Sequence, residues 1–62
     1  MKTLDIRLQE YLDEIMKFIR EEYTLARYQT ISGRINILEV EGYNVGKYTL
    51  ELSEILKKNK DL

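Results

Sequence analysis

The sequence predicts an all-α protein: a long N-terminal helix followed by two shorter ones, forming a helical bundle completed by dimerisation. Three observations carry this expectation. Residues 3–29 place apolar side chains at alternating spacings of four and three, the period of one face of an α-helix. Pro is absent from all 62 residues, and the Gly residues, at 33, 42 and 46, punctuate only the second half. The apolar surface of the first helix is also wider than two short neighbours readily cover.

The first helix carries two adjacent seams. Leu4, Leu8, Tyr11, Ile15 and Phe18 form one, and Leu12, Met16, Ile19, Tyr23 and Ala26 repeat the spacing beside it. At about 100° per residue the two rows cover half of the cylinder. Acidic residues are frequent in its first half, with Arg20 and Arg27 towards its end, which suits the helix dipole.

From Tyr28 to Glu41 the pattern is mixed. Ile35 and Ile37 share one parity while Leu38 and Val40 share the other, so a strand would need a bulge or two buried faces. As a helix, Tyr28, Ile31, Ile35 and Leu38 fall on one face, Ser32 supplies an N-cap and Gly42 the C′ position. Asn44 then caps a third helix, with Tyr43 and Tyr48 at the two ends of a hydrophobic staple. Val45, Tyr48, Leu52, Ile55 and Leu56 make its apolar face. The alternative is an α+β fold in which 34–41 and 46–52 pair as a β-hairpin, since Tyr48, Leu50 and Leu52 also alternate. The helical reading is preferred.

The chain forms a single domain spanning 1–62. A domain of this length buries only about 60% of the surface its unfolded chain exposes. Nine Leu, seven Ile, two Val and six aromatics supply a core, with no Cys to staple it and neither Cys nor His for a structural zinc site. A second copy of the chain is the remaining common remedy. The surface expected to meet it is the doubled seam of Leu8, Tyr11, Leu12, Ile15, Met16, Phe18, Ile19 and Tyr23, in a bundle of four or six helices. The competing arrangement places the first helix at the centre of one chain, with the other two on its seams.

Composition excludes much chemistry. Without His and Cys the chain lacks the commonest general base, the thiol nucleophile and the usual transition-metal ligands. The paired acids Asp13 and Glu14, Glu21 and Glu22, Glu39 and Glu41 match neither a Glu-x-x-His motif nor a calcium loop. Lys47 is followed by Tyr48 rather than Ser or Thr, so Gly42 and Gly46 do not form a phosphate loop. No enzyme activity, cofactor or metal is expected.

Ten Lys and Arg nearly balance eleven Asp and Glu, for a net charge of −1 and a pI near 5.4; generic nucleic-acid binders are more basic. No stretch approaches the roughly 20 apolar residues that span a bilayer, and the N-terminus lacks the apolar core of a signal peptide. The cytoplasm is the expected location, with no membrane partner.

The expected function is therefore binding. The chain reads as a small non-enzymatic, homodimeric protein-binding module that occupies a surface of a larger macromolecule, as compact inhibitors, antitoxins or adaptors of bacterial or phage type do. Candidate partner contacts are Tyr28, Ile37, Val40, Tyr43 and Leu50, apolar or aromatic residues least needed by the internal faces. The alternative is a small DNA-binding regulator. Arg20, Arg27 and Arg34 recur every seven residues and would line one side of a helix running past Gly33, a stripe doubled in a dimer. A helix-turn-helix at 35–58 fits poorly, because Leu38 is large where a small residue belongs and Glu51 and Glu54 would face phosphates. Glu22 interrupts the row Tyr11, Ile15, Phe18 where an apolar residue is expected. It either reaches water or a nearby Arg, or acts as a specificity device in an interface.

Overall fold

Local capping chemistry sets where the helices begin. In a computed structural model describing residues 2–60, the Asp5 carboxylate accepts the Leu8 amide at 2.8 Å and opens α1, Ile6–Glu21. Thr24 does the same for α2, Leu25–Val40, its hydroxyl accepting the Arg27 amide at 3.1 Å. Each satisfies one of the amides that a helix N-terminus leaves unpaired. Tyr23 and Tyr28, at N′ and N4 of α2, bring their ring centroids to 6.1 Å and staple the entry of the chain. The third helix, α3, is Gly46–Asn59. Among the described residues the fold is all-α, and the segments 34–41 and 46–52 that a hairpin would pair as strands are helical but for Glu41, the C-cap of α2.

Several boundaries differ from those the sequence suggested. The periodic segment 3–29 is not one helix but breaks at 22–24, so the three helices are nearly equal in length. A single helix over 3–29 would be about 40 Å long, longer than the whole molecule at 36 Å. Reversing at Tyr23 instead lets Ile31 and Ile35 join Leu12, Met16 and Ile19 in one buried cluster. Ser32 consequently lies inside α2 and caps nothing. Asn44 does not cap α3 either. Val45 is the N-cap, without a side-chain bond, while the Asn44 amide donates to the Lys2 carbonyl at 2.9 Å. The staple expected of Tyr43 and Tyr48 thus belongs to Tyr23 and Tyr28, one helix earlier.

Gly42 does terminate α2 as expected. Its φ is +96°, its amide donates to Glu39 and that of Tyr43 to Leu38, both at 3.0 Å, the paired bonds of a Schellman motif. The N-terminal residues close over this turn. Lys2 donates to the Gly42 carbonyl at 2.7 Å and forms an isolated parallel bridge with Tyr43, which drops Leu4 into the core.

The core comprises Leu4, Leu12, Met16, Ile19, Ile31, Ile35, Val45, Tyr48, Leu52 and Ile55. Its polar atom, the Tyr48 hydroxyl, donates to Asp13 Oδ1 at 3.0 Å, so α3 is tied to α1 by a directional bond as well as by packing.

Two glycine substitutions separate backbone from packing effects. A Cβ at Gly33 or Gly42 would meet no atom within 4 Å. Gly33→Ala, in a helix interior, should stabilise by about 0.5–1 kcal/mol. Gly42→Ala should cost about 1–2 kcal/mol, because only its left-handed φ resists the change. Thermal melts should move in opposite directions, and equal shifts would refute this assignment of the turn.

Candidate interaction surface

The bundle has a groove between each pair of helices, and they differ in chemistry. Between α2 and α3 the walls mix Ser32, Asn36, Glu39, Thr49 and Ser53 with Tyr28 and Leu56, around a space of about 230 Å³. Between α1 and α3 they are mostly charged, with Arg20, Glu51, Glu54 and Lys58. Between α1 and α2 the groove is larger, about 540 Å³, with Tyr11, Ile15, Phe18, Ala26 and Ile31 supplying its apolar lining. A second hollow of about 250 Å³ shares Tyr11 and Arg34 with it and extends the apolar surface through Leu8, Ile37 and Leu38.

The predicted double seam is thus split by the fold. Leu12, Met16 and Ile19 are buried within the chain, and Tyr23 packs against their cluster. Leu8 and Ile15 are half-buried, while Tyr11 and Phe18 remain 46% and 45% exposed. On α1, the row of Leu8, Tyr11, Ile15 and Phe18 is therefore the seam that stays partly exposed.

The arginines do not form one stripe. The break at 22–24 turns Arg20 towards α3, where it meets Glu51 at 3.1 Å. Arg27 and Arg34 lie on α2 and border the groove. The Arg27 guanidinium carbon lies 4.6 Å from the Phe18 ring centroid, and that of Arg34 lies 6.0 Å from Tyr11, contacts worth about 0.5–1 kcal/mol each at exposed sites. Glu22 is exposed at the C-cap of α1 and accepts from Arg27, through its carbonyl at 3.1 Å and its carboxylate at 3.3 Å. It has left the apolar row because the helix ends there.

The candidate partner contacts are dispersed. Ile37 borders the groove extension. Val40 and Leu50 are exposed on different helices at 79% and 64%. Tyr28 is engaged with Tyr23, and Tyr43 lies under the Lys2 ammonium at 5.1 Å. Sequence reasoning missed Glu14, Ala26, Thr30 and Ile31 as groove residues. The α2 members share a helix side with Arg27 and Arg34, but that relation is hidden when residues 25–29, the first turn of α2, are assigned to the first helix.

Among the described residues there is no group of three or more acidic, His or Cys side chains able to hold a metal ion, and no helix is long and apolar enough to cross a membrane. Compared with known protein families, curated proteins and solved structures, the chain matches none of them.

Proposed function

We propose that this chain is a non-enzymatic module that works by protein–protein contact, of the compact inhibitor, antitoxin or adaptor type, with the α1/α2 groove as its contact surface. The observation that carries the reading is the half-exposed pair Tyr11 and Phe18 beside Ile15, Ala26 and Ile31 in the groove, in a chain whose core is closed without them. Aromatic side chains in a concave apolar setting are the usual anchors of protein interfaces. The bordering arginines add polar specificity at little cost, since both already lie over aromatic rings. A DNA-binding role would need a row of free cations, whereas Arg20 and Arg27 are each engaged by a carboxylate.

Site-specific photo-crosslinking tests the proposal. A photoreactive phenylalanine analogue at Tyr11, introduced in the cells that make the protein, should yield protein adducts, whereas the same analogue at exposed Lys57 should not. Equal yields at both positions, or adducts to nucleic acid alone, would refute it.

A further inference from the structure

We propose that the occupant of the α1/α2 groove is a second copy of this chain, related by a twofold axis running along the groove, so that α1 of each copy lies over α2 of the other. The inference rests on the groove being a protein contact and adds what fills it.

The geometry begins with the register of the hairpin. Phe18 faces Arg27 and Tyr11 faces Arg34, which places Glu14 level with Ile31, between the two arginines along the axis. At a rise of about 1.5 Å per residue, Glu14 is about 4.5 Å along the axis from the Tyr11–Arg34 level and about 6 Å from the Phe18–Arg27 level. Glu14 and Arg34 both border the groove. Neither is in an ion pair among the described residues. One wall thus carries an unpaired anion and the other an unpaired cation.

Only one of the two face-to-face twofold arrangements matches these charges. With the axis along the groove, α1 of the second copy lies antiparallel over α2, and its Glu14 falls between Arg27 and Arg34 of the first copy. Symmetry repeats the contact. With the axis across the groove, α1 meets α1 and α2 meets α2, setting Glu14 against Glu14 and arginine against arginine, which electrostatics disfavours. The favoured arrangement is also a four-helix core with antiparallel neighbours. It covers Tyr11 and Phe18 and leaves α3 outside the contact.

Sedimentation across the micromolar range tests the proposal, with helical content checked for each variant by far-UV circular dichroism. The native chain should sediment at twice its 7.4 kDa mass. Phe18→Asp should weaken association by about 100-fold, and it can fold because Phe18 is half-exposed. Glu14→Arg and Arg34→Glu should each weaken it by about 10-fold. An equimolar mixture of those two variants should recover association as a heterodimer, since one half-interface is charge-reversed and the other native. A contact within one chain cannot be restored by mixing. A native chain that stays at 7.4 kDa overturns the second copy as occupant, and protein adducts from Tyr11 would then still leave the groove a contact for another protein. A dimer indifferent to Phe18→Asp overturns this inference and the groove reading together. A mixture no better than either variant alone overturns the twofold arrangement.

Discussion

Ile19→Ala is expected to cost about 2–5 kcal/mol, while the adjacent Phe18→Ala, measured where the chain is monomeric, should cost about 1 kcal/mol or less. Ile19 is 0% exposed and sits in the cluster joining the three helices. Removing its outer carbons leaves a cavity that helices already linked by short turns cannot close. Domains of this size rarely hold more than about 3–5 kcal/mol in their core, so Ile19→Ala should remove most of the stability. Phe18 lies one position round the helix, over the groove rather than in the core. Urea titrations of both variants at low concentration check the contrast. Similar losses for both would show that the groove side is part of the monomer core and would undermine the interaction surface.

The second large effect concerns alkaline pH. Burial foremost, then the hydrogen bond to Asp13 and the negative charges of Asp13 and Glu51, push the Tyr48 hydroxyl from 10.0 up to about 12. The folded state therefore keeps its proton where the unfolded chain releases it. The stabilisation is complete below pH 10 and lost as pH rises through the folded value. The raised value places that loss between pH 10 and about pH 12. Tyr48→Phe should lose about 1 kcal/mol at neutral pH with its hydrogen bond. The stability difference between native chain and variant should then shrink between pH 10 and pH 12. Chemical denaturation at pH 8, 10 and 11 reads this directly, and a difference independent of pH would show that neither burial nor Asp13 holds the proton on the hydroxyl.

The same side chains explain why sequence reasoning reached the helical class but misplaced the hairpin. Periodicity reports which faces are apolar, and Leu12, Met16, Ile19, Ile31 and Ile35 all lie on the faces it indicated. It cannot report that a helix stops when spacing continues through the stop. Tyr23 and Ala26 keep the four-and-three rhythm across the turn, and no Gly or Pro marks 22–24. Thr24 was a legible N-cap, but Arg27 stands where a capping box would place Glu, so that signal is half complete. The Gly42 terminus was legible because a left-handed residue has few substitutes.

Composition and pattern by themselves determined the helical class, the end of α2 at Gly42, the apolar faces and the surplus of apolar surface on α1. Local properties such as helical period and the φ tolerance of glycine settle these. Tertiary structure alone decided where α1 turns back, which seam became core and which stayed open, and that Arg27 and Arg34 would border a groove while Arg20 joined Glu51. Those outcomes follow from docking one helix against another. The choice between a straight helix and a hairpin is made by the apolar area buried between segments far apart in sequence, which no local spacing records.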